Sequence, residues 1–196
     1  MPEYEVAVVG GGPAGASAAT FTARAGLQTL LIDADQGMTR RAMVNNHLGF
    51  PEGVSGPELV ENGKQQAARA GAEIVDGKVS ALTQRNGGFI LQTEDGRSFD
   101  ARQVILTIGA NAELARTAGV TTRPGTEPHI REVVDVDSEG RTSTPGIWAA
   151  GTAAGVSVHT IITAGDGARV AINLISANKG GRHVDHDAMP APVRSV

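Results

Sequence analysis

Cysteine is missing from all 196 residues. Disulfides, thiolate metal sites and thiol catalysis by this chain are therefore excluded. Dense basic runs are missing too, and the net charge is −4 at neutral pH, which argues against nucleic-acid and anionic-membrane partners. No apolar stretch reaches the about 18 residues of a membrane helix. No basic segment followed by an apolar core opens the chain, so a soluble, cytoplasmic protein is expected. Internal repeats and low-complexity linkers are likewise missing, and the length suits one domain with a real core.

Glycine is abundant: 26 residues, against about 14 expected at average usage. The surplus indicates tight turns and close backbone approaches, which nucleotide-binding folds need. It is concentrated in "VAVVGGGPAGASAATFTARAG", Val6 to Gly26, which contains Gly10-x-Gly12-x-x-Gly15. Tyr4 to Val9 reads as a buried strand, and the alanine-rich run from Pro13 reads as a thin helix, with proline tolerated in its first turn. A second strand, "LQTLLID", ends at Asp33, 18 residues after Gly15. That is close to the about 20 expected of a ribose-binding acid. Gly10 permits the turn, Gly12 lets backbone approach a pyrophosphate, and Gly15 lets helix meet strand. Exposed amides and the helix dipole favour the phosphates. The unit marks a dinucleotide site and leaves NAD or FAD open.

After Asp33 comes a polar stretch too long for an ordinary connection, of the kind that lies over a ligand. A helix is expected from Pro57, with Leu59, Val60, Gly63, Ala67 and Ala70 near one face. "AEIVDGKVSAL" reads as strand, turn, strand. The next segment, to Ala110, reads as a strand, an Asp95-Gly96 turn and two more strands. A three-stranded antiparallel meander after a βαβ unit departs from a plain NAD domain, which would keep alternating strands and helices. A short strand from Ile147 to Ala150 follows. A last helix is expected next, with Ile161, Ile162, Ala168, Ala171, Ile172 and Ile175 as its apolar face and Gly180 after it. This gives one dinucleotide-binding domain, residues 1–180, and a polar tail, 181–196.

In "GGGPAG" with Asp33, "NNHLGFPEGVSGPEL", "QVILTIGA", "RTSTPGIWAAGT" and "HTIITAGDGARVA", the chain resembles the FAD domain of the thioredoxin reductase family, within the pyridine nucleotide–disulfide oxidoreductases. The resemblance implies an α/β, FAD/NAD(P)-binding Rossmann-like three-layer fold: a parallel sheet with helices and the antiparallel meander. It implies FAD as cofactor. Gly10, Gly12, Pro13, Ala14 and Gly15 would hold the pyrophosphate, Asp33 the adenosine ribose, and Val79 the adenine through its backbone. Asn46 matches an asparagine near the flavin and ribityl chain. Gly109 matches the glycine of the family's A-T-G turn, and Gly151 and Thr152 its G-D pair. His159, Thr160 and Ile161 match the helix start beside the isoalloxazine ring.

The departures are informative. Thr152 stands where the family has Asp, a neutral and shorter group. Ile108 replaces the threonine of A-T-G. The redox Cys pair is absent, and about 20 residues occupy the position of the inserted NAD(P)H domain, too few for a domain. Electrons would come from an external donor or a partner reductase. A symmetric homodimer covering the open ring is expected.

No catalytic residue is assigned. The candidates are His159, as a flavin hydrogen-bond or proton-transfer group, and His47, against a loop position with no role. Arg40 and Arg41 can meet the cofactor or an anionic substrate. Trp148 reads as core. His183, Asp185, His186 and Asp187 resemble a metal cluster only in composition, and no metal is expected. An NAD-dependent dehydrogenase disagrees with the meander. A non-enzymatic flavin-binding redox module, or a subunit of a split reductase, is the alternative to an FAD-dependent oxidoreductase.

Overall fold

The structure, a computed structural model, describes residues 3–85 and 87–187. The chain opens with β1 (Tyr4–Val9), α1 (Pro13–Arg24) and β2 (Thr29–Asp33). A 3-10 turn at Met38–Arg41 and a small ribbon, β3 (Met43–Val44) with β4 (Val54–Ser55), lead into α2 (Gly56–Ala70). Then come β5 (Glu73–Asp76), β6 (Val79–Arg85), β7 (Gly88–Thr93) and β8 (Ser98–Leu106). The short helix α3 (Glu113–Thr117), the hairpin β9 (Thr122–Pro124) and β10 (Glu132–Val134), β11 (Ile147–Ala149) and α4 (Thr160–Lys179) complete it.

The main sheet runs β5-β2-β1-β8-β7-β6, with β11 joined to β8. β5, β2, β1, β8 and β11 pair in parallel, whereas β6, β7 and β8 form the antiparallel meander. This is the expected α/β three-layer fold. Two details differ from the sequence reading. One nine-residue strand, β8, replaces the two expected after the Asp95-Gly96 turn. Its Ala101 pairs with both Tyr4 and Phe89, so β8 joins meander and parallel sheet. The strands of "AEIVDGKVSAL" also part company, β5 pairing with β2 and β6 with β7.

Strand periodicity sends alternate residues to opposite faces. Val6, Val8, Leu31, Ile105 and Trp148 pack with the alanines of α1 and with Val170 and Leu174 of α4. Ala7, Val9, Leu30, Ile32, Val104 and Leu106 pack instead with Leu82, Phe89 and Leu91 of the meander and Ala115 of α3. The second face explains why the strands read as continuous apolar runs. α4 turns differently from expectation at its start: Ile161 and Ile162 are exposed, and Thr160, Thr163, Asp166 and Gly167 face inward. The cause is close packing on α1, since a Cβ on Gly167 would lie 2.0 Å from the Ala14 carbonyl oxygen.

Gly181 to Asp187 lie on the domain. Arg24 pairs with Asp185 and Asp187 at 2.8 Å, and the His183 amide donates to Ser176 Oγ. The rest of the expected tail, 188–196, lies outside the described residues. No described helix is long and apolar enough to cross a membrane.

Candidate cofactor site

The carboxyl ends of β1, β2 and β8 open into a cavity of about 890 Å³, within the usual range for ligand sites. Gly10 turns with a φ of 106°. A Cβ there would lie 2.5 Å from the Thr107 carbonyl oxygen, so the position requires glycine. Thr107 Oγ1 donates to the carbonyl oxygens of Val9 and Gly10 at 2.9 and 2.8 Å, fastening the loop from beneath. A Cβ on Gly15 would lie 1.7 Å from the Gly10 carbonyl oxygen, so loop and helix close on each other there. A Cβ on Gly12 would meet nothing within 4 Å. Gly12 is therefore open toward the cavity, and its lack of a side chain answers no contact within the chain.

Among the described residues, three helices start at this cavity, and α3 differs from the other two in carrying Glu113 in its first turn, with the Glu113 amide donating to Asn111 Oδ1. α2, which starts elsewhere, is capped by Ser55, whose Oγ accepts from the Glu58 amide. α1 starts after Gly12 and α4 after His159, with no side-chain cap and no acid in either first turn. Their first-turn amides lack intrahelical partners. Pro13 and Thr160 both line the cavity. Two partial positive charges thus face one cleft, which suits an extended anionic ligand.

At one end, Asp33 is buried. Its Oδ1 accepts from the Gly11 amide at 2.9 Å and its Oδ2 pairs with Lys64 Nζ at 2.5 Å. Burial pushes this carboxyl up, but Lys64 and the Gly11 and Asp35 amides outweigh it and hold it below its ordinary value. Val79 lines the same end. The β6–β7 register shifts between Val79 and Ala81, an irregularity typical of binding edges. Arg40 pairs with Asp35 and lines the adjoining cleft, which holds about 400 Å³.

At the other end, Thr152, Val158, Thr160 and Thr163 line the cavity. His47 Nδ1 lies 2.9 Å from Thr160 Oγ1, tying the long loop to the start of α4. Burial holds His47 below its ordinary value. Asp166 Oδ2 accepts from the Gly151 amide at 2.7 Å, and its Oδ1 accepts from Arg169.

Of the fourteen cofactor residues expected from sequence, Gly10, Gly12, Pro13, Ala14, Asp33, Val79, Gly109, Thr152 and Thr160 line the cavity. Gly15 and Gly151 are buried behind the lining, where a Cβ on Gly151 would lie 2.7 Å from Ala14 Cβ. Asn46, His159 and Ile161 are exposed, and the His159 ring contacts Ser157 Oγ at 2.8 Å. Trp148 is buried and donates to Gln103, away from the cavity. Among the described residues no group of three His, Asp or Glu can hold a metal.

Sequence reasoning missed three residues. Thr107 carries a hydroxyl one position before the Ile108 that replaces the family threonine, and that shift was legible. Asp166 is an acid within an alanine- and glycine-rich helix segment. Lys64 follows Val60 by four and precedes Ala67 by three, which puts it on the buried face of α2.

These features define an α/β dinucleotide-binding domain with an extended anion-binding cleft. Residues 57–168 match the family model for pyridine nucleotide-disulphide oxidoreductases, and residues 3–47 match an FAD binding domain. The thioredoxin reductase of Aquifex aeolicus (strain VF5) is 39% identical over 110 residues, covering 55% of this chain and 34% of that protein. The bifunctional thioredoxin reductase/thioredoxin of Mycobacterium leprae (strain TN) is 34% identical over 119 residues, covering 59% and 26%. The chain spans about a third or less of these relatives. In fold it is similar to the atypical thioredoxin reductase TRi from Desulfovibrio vulgaris Hildenborough, with a TM-score of 0.79 at 21% identity over 89% of this chain and 98% of that one. A thioredoxin reductase from Gloeobacter violaceus gives 0.76 at 19% identity over 95% and 99%. The chain belongs to the pyridine nucleotide–disulphide oxidoreductase family, and FAD is the cofactor these matches imply. The open face of Gly12, the two uncapped helix starts and the buried acid at the end of β2 fit that cofactor.

Proposed function

We propose that this chain is an FAD-dependent oxidoreductase domain that receives electrons from an external donor or a partner reductase. The single observation that carries the reading is the pair of uncapped helix starts, α1 and α4, at one cavity with buried Asp33. In this reading the Gly10–Gly15 loop holds the pyrophosphate, Asp33 the ribose and Val79 the adenine. Gly109, Gly151 and Thr152 support the middle of the cofactor, and Thr160 meets the ring end. Asn46, His159 and Ile161 would reach the cofactor only from exposed positions. Bound FAD would supply two-electron exchange. The chain's own residues bind it, orient it and hold its charge.

Between β8 and β11 the described chain forms only α3 and the β9–β10 hairpin. No second nucleotide fold in that segment sets a nicotinamide against the flavin. Direct reduction by NADH or NADPH should therefore be slow. The absence of cysteine favours, as a second reading, a redox module or split-reductase subunit without turnover of its own. Anaerobic stopped-flow reduction by each pyridine nucleotide, followed by turnover with an artificial acceptor, tests both. Slow reduction with turnover by a chemical donor supports the first reading. Fast, saturable reduction at low NADPH would remove the external donor, and no turnover with any donor would favour the second reading.

The reading extends to a homodimer in the cytoplasm. The His47–Thr160 contact brings Leu48, which is 86% exposed, toward the start of α4, where Val158, Ile161 and Ile162 are also exposed. Such a patch on a small protein is a candidate contact for a second copy.

A further inference from the structure

Asp33, Lys64 and Asp166 are the buried charged side chains among the described residues. Asp166 holds the Gly151 turn. Lys64 requires a separate explanation, because Val60 and Ala67 share its buried face and an apolar residue there would avoid the cost of desolvating an ammonium group. Its position is built. A Cβ on Gly63 would lie 2.8 Å from Ala16 Cβ, so α2 approaches α1 closely beside it. From there Nζ reaches 2.5 Å from Asp33 Oδ2, with Asp35 and Asp76 oxygens each 3.9 Å away.

Resting on the FAD reading, we propose that Lys64 is a positioning residue for the ribose acid. It holds one oxygen of Asp33 while the Gly11 amide holds the other, fixing the carboxylate, ionised and in one orientation, at the edge of the cofactor cavity. A carboxylate has about four lone-pair sites, so capacity remains for a ribose hydroxyl. The groups facing Asp33 are Lys64 and Glu61 from α2, Asp76 and Lys78 from the end of β5 and the link after it, Arg40 from the 3-10 turn, and Asp35 from its own loop. Arg40 is engaged with Asp35. Lys64 is the cation in direct contact with Asp33.

The sign follows. In the native protein Asp33 is held below its ordinary value, so FAD retention should stay level from about pH 8 to about pH 5. Without the Lys64 ammonium, burial is opposed only by backbone amides and the Asp33 carboxyl rises. The ionised form that accepts from ribose is then lost as pH falls through the raised value, at up to about tenfold in affinity per pH unit.

The test is equilibrium FAD binding, read by flavin fluorescence across that range, with thermal melts of the FAD-free proteins alongside. Lys64→Met should lose FAD affinity as pH falls from 8 to 5, by up to about tenfold per pH unit below the raised value of Asp33. Lys64→Arg, which keeps the charge, should show the level native profile, and Asp33→Asn with Lys64→Met should bind weakly with no pH dependence. A Lys64→Met profile parallel to the native one, whether weaker or unchanged, overturns the proposal and leaves Lys64 as packing. If Lys64→Met is insoluble, Lys64→Gln, which removes the charge but keeps a polar side chain, takes its place: an acid-sensitive profile supports the proposal, and a level one overturns it. Native protein that binds no FAD at any pH overturns the FAD reading itself.

Discussion

Gly12 and Gly15 are three residues apart, and their substitutions should fail in different ways. A side chain on Gly12 points into empty space, so Gly12→Val should leave the melting temperature near that of the FAD-free native protein and abolish FAD retention. A methyl on Gly15 meets the Gly10 carbonyl oxygen, so Gly15→Ala should destabilise the fold itself, by about 3 kcal/mol. Paired melts and FAD content check both; loss of fold in Gly12→Val would contradict the placement of the ligand. Asp33→Ala should cost stability as well as cofactor, about 2 kcal/mol, because it leaves Lys64 buried without its closest partner. An unchanged melt for the FAD-free variant would count against that ion pair. The glycines and Asp33 were legible because their spacing encodes a backbone turn and a strand end. Lys64 was not: its spacing puts it on the buried face of α2, but a lysine there reads as an ordinary one, and only the fold reveals that it meets Asp33.

At the scale of elements, the starts of α1, α3 and α4 and several loop segments line the cavity. The start of α4 carries partial positive charge, which favours added negative charge on a cofactor bound beside it. Ile161→Pro keeps the Thr160 hydroxyl and its His47 contact but removes one first-turn amide, which proline tolerates. The flavin midpoint potential should fall by on the order of 10 mV; an unchanged potential with FAD still bound would contradict the position of α4. The loop side has its own pH dependence. Burial depresses His47, so the unfolded chain takes up a proton more readily than the native one. The contribution is full above about pH 6.5 and is lost as pH falls below it. His47→Gln should remove that acid-side loss in urea melts at neutral and mildly acidic pH, and identical slopes in both proteins would refute it. The βαβ unit, meander and late strand were legible from periodicity. The double role of β8 was not, because no glycine or proline marks where its antiparallel half becomes its parallel half.

At the scale of the whole molecule, the chain has one nucleotide-binding unit in which the described residues between β8 and β11 add no second one. The apolar positions around Leu48 and Ile162 supply the proposed contact between copies. Ile162→Glu should shift a sedimenting dimer toward monomer while leaving FAD content unchanged; native protein that sediments as a monomer would remove the dimer. The exposure of Ile161 and Ile162 was not legible, since both read in sequence as part of the buried face of α4. The glycine loop, the buried acid and the two helix starts all serve one ligand, FAD. The identity and amount of cofactor released by heat from the purified protein check this. FAD should approach one per chain, or be restored to that level by reconstitution. Colourless protein that cannot be reconstituted with FAD, yet binds NADH tightly, would contradict it.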